Sequence, residues 1–159
     1  MKWLPLDART TGIGDLFFDR EIRVQVDLAQ LRVLDPRLAV RVAIAGDLAR
    51  WTYPPWFWLG KELARFDSPG ARPHSFRWVS RNATRVDFTP VRDAGALLMP
   101  CYRLTGSRTV LALDGNHRML HFLLHRPEAT VVQLAILAPV SRHIIPDLVH
   151  WERVSTDSN

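Results

Sequence analysis

The sequence predicts a single domain of the α+β class spanning residues 1–159, a small mixed sheet with flanking helices. Three observations carry that reading. The chain has 159 residues, the length of one domain and enough to bury a real core. Its 47% hydrophobic and 23% charged residues are a globular balance, which excludes a mostly disordered chain. Its second half places short β-rich runs (97–104, 109–113, 130–137) around one stretch with helical spacing (119–125). No internal repeat or low-complexity segment interrupts the pattern.

At the N-terminus, Thr10, Thr11, Gly12 and Gly14 mark a loop before Phe17 and Phe18. Residues 21–26 alternate, with Ile22, Val24 and Val26 on one face and Arg23 and Gln25 on the other, as a half-buried strand does. Asp27 can cap a short helical turn over 28–34 that Asp35 and Pro36 end. Residues 38–51 place Leu38, Val42, Ala45, Leu48 and Ala49 opposite Arg37, Arg41 and Arg50, which predicts an amphipathic helix despite Gly46. Trp51, Tyr53, Trp56, Phe57 and Trp58 then crowd around Pro54 and Pro55, which interrupt any helix there. A further helix is expected over 58–66, burying Leu59, Leu63 and Phe66, so that 38–66 reads as a Trp-rich helical segment. Its aromatics serve either as core or as a lid or docking wall.

Residues 67–73 are a loop punctuated by two prolines and a glycine. Arg77, Arg81 and Arg85 follow at a spacing of four. On a helix they share one face, either a solvated one or a phosphate-binding stripe, while Val79, Val86 and Phe88 also allow strand. Residues 96–104 and 109–113 form a hairpin whose turn contains Gly106. The helix that follows ends at Arg126 and Pro127. The short crossover makes 130–137 the expected parallel neighbour of 109–113. Residues 146–154 read as a closing helix carrying Trp151, and 155–159 as a frayed tail.

The formal charge is +5 with a pI near 10.3, and Lys2 and Lys61 are the only lysines. Such a surface favours polyanions, so nucleic acid is an admissible partner, although no block of consecutive basic residues forms an arm. Cys101 is the sole cysteine, which excludes an internal disulfide and a cysteine zinc site and leaves it as a small core residue. No signal-like N-terminus and no membrane-length apolar run is present, so a cytoplasmic protein without membrane contact is expected.

The stretch that reads as chemistry is 114–118, Asp114, Gly115, Asn116, His117 and Arg118, where an apolar strand turns into a helix. Helix starts leave N–H groups unpaired at a positive end that suits phosphate. Gly115 lets backbone approach an anion. Arg118 opposes the macrodipole of its own helix, a conflict that a bound anion resolves and that a salt bridge with Asp114 or another carboxylate resolves equally. Asp114 is either a helix N-cap or the residue that holds Mg²⁺ or accepts a proton from a hydroxyl. Asn116 can cap or contact phosphate, and His117 can donate to phosphate or carry a proton. His117, His121 and His125 recur every fourth residue, a spacing that allows zinc or nickel. Without an assignable third ligand nearby, the reading is that His117 faces the site and the other two edge towards the surface.

Residues 113–118, Leu-Asp-Gly-Asn-His-Arg, resemble the Gly-x-x-Arg signature of the ParB/sulfiredoxin superfamily, and with the flanking strands the likeness covers 97–138. The resemblance implies that fold and a site for ATP or CTP with Mg²⁺, in a superfamily that includes free-serine kinases and ParB-like nucleases. Two activities are not expected. Sulfiredoxins carry their catalytic cysteine at the position of Asn116, and ParB partition proteins carry a helix-turn-helix domain after this fold that has no counterpart here. In a kinase-like member an acid from elsewhere activates the hydroxyl, and Glu21, Asp27, Asp47 and Glu62 are candidates.

The leading expectation is therefore an enzyme that hydrolyses ATP or CTP or transfers its phosphate to a small hydroxyl substrate. The catalytic candidates are Asp114 and His117; Gly115, Asn116, His117 and Arg118 hold phosphate, and Asp114 holds the metal. A metal-dependent ParB-like nuclease, with a toxin role among its options, is the alternative. A third reading is an inert module docking through Trp51 to Trp58, which requires Trp56 and Trp58 to be exposed.

Overall fold

Turn residues and pairing partners, more than helical periodicity, decide which elements this chain forms. The computed structural model describes residues 2–6, 38–82, 95–104, 106–137 and 151. The strand expected at 21–26, the turn at 28–34 and, Trp151 aside, the closing helix at 146–154 lie outside the described residues.

The expected helix over 38–51 is instead a strand, β2 (Leu38–Ile44), followed by a single helical turn, α1 (Ala45–Leu48). Val40, Val42 and Ile44 are β-branched and alternate with Ala39, Arg41 and Ala43, so the segment satisfies a period of two as well as one of 3.6. Tertiary pairing decides between them. Every residue of β2 pairs antiparallel with β9 (Thr130–Ile136), from Leu38 opposite Ile136 to Ile44 opposite Thr130. β1 (Leu4–Leu6) pairs on the other side of β2. The 127–129 loop satisfies the start of α1, whose Ala45 and Gly46 N–H groups donate to the carbonyls of Ala129 and Pro127, both at 2.9 Å.

The helix expected over 58–66 is a hairpin. β4 (Phe57–Leu59) and β5 (Glu62–Ala64) pair with Leu59 directly opposite Glu62, which leaves Gly60 and Lys61 as a two-residue loop. Gly60 has φ +61°, the left-handed backbone that such tight hairpins require. β6 (Arg72–Pro73) adds to β4 and completes a second, three-stranded sheet. The helix α2 (Phe76–Asn82) follows; Ser75 caps it by accepting the Trp78 N–H at 3.3 Å. Its Phe76 and Val79 are buried, while Arg77 and Arg81 are exposed.

The second half follows the expected elements: β7 (Leu97–Arg103), β8 (Val110–Ala112), α3 (Asn116–His125) and then β9. β7 and β8 form the expected antiparallel hairpin, with Gly106 at φ +73° in its turn. The neighbour relations differ in one respect. β9 lies parallel to β7 and not beside β8, whose other partner is β3 (Thr52–Tyr53). Among the described residues the main sheet is six-stranded in the order β1-β2-β9-β7-β8-β3. The physical reason is the path of α3. It starts against Leu97, which contacts Gly115, and β9 begins level with Leu97, paired with Val131. The chain therefore leaves β8 and enters β9 at the same end of the sheet, and β9 runs opposite to β8.

One sheet face, with Leu97, Met99, Cys101, Val110, Ala112, Val131 and Ala135, packs against Phe76 and Val79 of α2 and Met119, Leu120 and Phe122 of α3. Two polar residues are buried in this layer, Thr52 and Gln133. Gln133 is fully partnered. Its amide nitrogen donates to Thr52 Oγ1 at 2.9 Å, and its oxygen accepts from Arg41 Nε at 3.1 Å and from Arg41 Nη2. Burial lowers the Arg41 guanidinium from its ordinary pKa, and the Trp3 ring, 4.2 Å from it, covers it. No helix among the described residues is long and apolar enough to cross a membrane.

Candidate functional site

The turn after β8 is fixed from both sides. The Leu113 N–H donates to the Pro100 carbonyl at 2.8 Å, holding the strand end against β7. Gly115 then adopts φ +81°, ψ +16° and serves as the N-cap of α3, with no side-chain cap. A Cβ there would stand 3.1 Å from Leu97 Cδ1. Both the left-handed backbone and the close approach call for glycine.

The first bond of α3 runs from the Met119 N–H to the Gly115 carbonyl at 3.0 Å. The N–H groups of Asn116, His117 and Arg118 thus precede the helical ladder, and the first turn holds no acidic residue. Asp114 does not cap the helix, so its N-cap reading falls. Nor is Arg118 tied up by a carboxylate, since the one ion pair among the described residues joins Arg65 and Asp67. Two polar atoms of the turn, Asn116 Oδ1 and His117 Nδ1, are buried and make no hydrogen bond. A buried, unpaired polar atom costs about 1–3 kcal/mol, and here two adjacent residues carry one each.

The aromatic segment reaches this turn through one residue. The Trp56 ring meets His117 edge-on at 5.5 Å and Phe76 at 6.5 Å. Trp56 also lines a hollow of about 260 Å³ with Pro55, Phe57, Leu63, Phe66 and Trp151. Trp58, by contrast, is 1% exposed and packs against Trp78. The docking-module reading needed both tryptophans exposed, and the burial of Trp58 removes half of that requirement.

The three histidines part company. His121 and His125 lie 4.8 Å apart, with His125 exposed, while His117 turns to Trp56. No group of three or more His, Cys, Asp or Glu that could hold a metal occurs among the described residues. Asp114 offers Mg²⁺ one carboxylate, a donor set that fits only an ion taking its other ligands from phosphate and water. Of the proposed distant acids, Asp47 lies in a different cleft beside Leu123 and Pro127, near the far end of α3; Glu62 is exposed on the hairpin; Glu21 and Asp27 lie outside the described residues. Cys101 is fully buried and its thiol is pushed well up by burial, as befits a core residue.

Comparisons with protein-family models, with curated proteins and with solved structures gave no significant match. What the site can do therefore rests on its own geometry. Sequence reasoning singles out the five turn residues, which lie together at the start of α3, and gives no sign that Trp56 stands beside them. In the sequence Trp56 is one aromatic among five around Pro54 and Pro55, and only the fold sets it against His117. Arg50, expected on a helix that does not form, lines the second cleft together with Arg77 and Arg81, away from the turn.

Proposed function

We propose that residues 114–118 bind the phosphates of a nucleotide, ATP or CTP with Mg²⁺, and that the protein hydrolyses that nucleotide or transfers its phosphate to a small hydroxyl compound, on a ParB/sulfiredoxin-like fold. The observation that supports this most is the pair of unpartnered buried atoms, Asn116 Oδ1 and His117 Nδ1, at a helix start that no side chain caps. Phosphate oxygens only accept hydrogen bonds. They select the His117 tautomer protonated at Nδ1, and the Asn116 amide turned so that Nδ2 replaces Oδ1, an orientation that heavy-atom positions leave open. The N–H groups ahead of the α3 ladder and the forked guanidinium of Arg118 complete a donor set for an anion.

Asp114, without an ion-pair partner among the described residues, stands at the mouth of the same turn. Its role is to accept the proton of the attacking water or hydroxyl, or to hold Mg²⁺. The ion, when bound, neutralises charge on the phosphates. Trp56 holds the His117 ring from one side and so limits its rotation.

Calorimetric titration with ATP and CTP in Mg²⁺ tests the reading. Binding by the wild type that weakens roughly 10- to 100-fold in Arg118→Ala is expected, the worth of a hydrogen bond to a charged group. Absence of binding and turnover, with Arg118→Ala indistinguishable from wild type, would end the proposal. Substituting DNA and RNA for the nucleotides, with Asp114→Ala as control, tests the nuclease alternative that uses the same residues.

A further inference from the structure

A second cationic site lies near the opposite end of α3. A cleft of about 430 Å³ runs between α1, α2 and the last turn of α3, lined by Asp47, Arg50, Trp51, Arg77, Ser80 and Arg81 and closed on its apolar side by Leu123 and Pro127. Leu123 is seven residues along α3 from Asn116, about 10 Å at the helical rise, so this cleft is separate from the 114–118 turn. Arg77 and Arg81 project from one face of α2 at a spacing of four. A backbone hydrogen bond from the Arg77 N–H to the Ala49 carbonyl, 2.9 Å, locks α2 to the segment that carries Arg50. The arginines thus line both walls of the cleft.

These cations are unspent. All three are exposed, and the ion pair between Arg65 and Asp67 is the only one among the described residues. Asp47 is the one acid in the lining. The Arg50 guanidinium lies 4.9 Å from the centre of the Trp51 ring, and that of Arg108 lies 5.8 Å from the same ring, so positive charge continues past Trp51 towards the β7–β8 turn. Three arginines against one acid leave a net positive cleft, and an anionic ligand relieves the repulsion among them.

We propose that this cleft binds a single strand of nucleic acid by its phosphodiester backbone. The spread of the charge decides against a lone phosphate group, which one or two forked guanidiniums saturate. Cations on two walls, continued by Arg108 beyond an aromatic ring, fit successive phosphates with apolar surface between them. The site is independent of the nucleotide reading of the 114–118 turn.

The test is fluorescence anisotropy of a labelled single-stranded oligonucleotide across a salt series. With three arginines each neutralising a phosphate, affinity falls about twentyfold between about 50 and 200 mM salt, from a slope of about 0.7 per contact. The double variant Arg77→Gln/Arg81→Gln binds more weakly, and its affinity falls only about threefold over the same range. Arg65→Gln, an exposed arginine on the β5 side paired with Asp67, keeps the wild-type slope. Thermal melts of both variants check that they are folded. Three results would overturn the proposal: a double variant with the wild-type slope, an Arg65→Gln slope reduced as much as that of the double variant, or binding of tripolyphosphate without binding of the strand.

Discussion

Among the described residues, two groups of buried polar side chains are treated in opposite ways, and Trp58 Nε1, buried and without a hydrogen bond on β4, stands apart from both. Gln133, in the middle of the sheet, has its amide nitrogen on Thr52 and its oxygen on Arg41, which Trp3 in turn covers. Asn116 and His117, at the start of α3, have buried atoms that meet nothing. The first arrangement is complete without a ligand. The second carries a cost in the free protein that a hydrogen-bonding partner removes. The difference is one of position. Gln133 sits between paired strands that seal it, whereas Asn116 and His117 sit where β8 gives way to the uncapped start of α3. The proposed site rests on that contrast, read at a helix start that no side chain caps.

The largest test of that contrast is Gln133→Leu. It leaves the Thr52 hydroxyl and the half-buried Arg41 guanidinium without their shared partner, and a loss of about 3 kcal/mol is expected in urea unfolding. A loss below about 1 kcal/mol would mean that the network is dispensable and that satisfaction says little about role. Gly115→Ala comes next, at about 1–2 kcal/mol, because the left-handed backbone and the 3.1 Å approach to Leu97 add. Gly106→Ala is its comparator. That glycine has φ +73° with nothing within 4 Å of an added Cβ, so it reports backbone strain alone. The excess at Gly115 measures the Leu97 contact. Gly115→Ala is also expected to weaken nucleotide binding, and Gly106→Ala to leave it intact.

The turn that carries the candidate site was legible in the sequence because its signals are local. An apolar strand, a glycine and a helical repeat follow one another within a dozen residues, and the elements from β7 to β9 form nearly where their patterns place them. The first half was less legible for two physical reasons. Residues 38–44 satisfy both periodicities, and the choice of strand is made by β9, some ninety residues away in the chain. Residues 58–66 offered Leu59, Leu63 and Phe66 as a helical stripe, yet Leu59 and Leu63 are 51% and 53% exposed, and Trp58 is the buried residue. The deciding signal there was Gly60 followed by Lys61, a two-residue turn that periodicity masks. The strand order failed for a related reason. The right-handed crossover rule presumes a helix that returns along its strand, and nothing local records that the chain enters β9 at the end of the sheet where it left β8.

The smallest expected effect is the one most diagnostic of the contrast. Asn116→Ala removes a buried polar atom that has no hydrogen-bond partner and places a good helix former in the first turn of α3, so free-protein stability should stay level or rise by up to about 1 kcal/mol. That is the opposite sign from Gln133→Leu. In the presence of nucleotide at about 100 times the wild-type Kd, ligand binding stabilises the wild type by about 2.7 kcal/mol. If the substitution weakens binding tenfold, the variant gains only about 1.4 kcal/mol, so added nucleotide cancels or reverses its advantage. Thermal melts with and without ligand read both quantities from one pair of proteins. A variant that loses more than about 1 kcal/mol without ligand would place Asn116 beside Gln133 as a structural residue. A variant that keeps its advantage at saturating nucleotide would show that the unpaired atoms at the start of α3 are not where the phosphate binds.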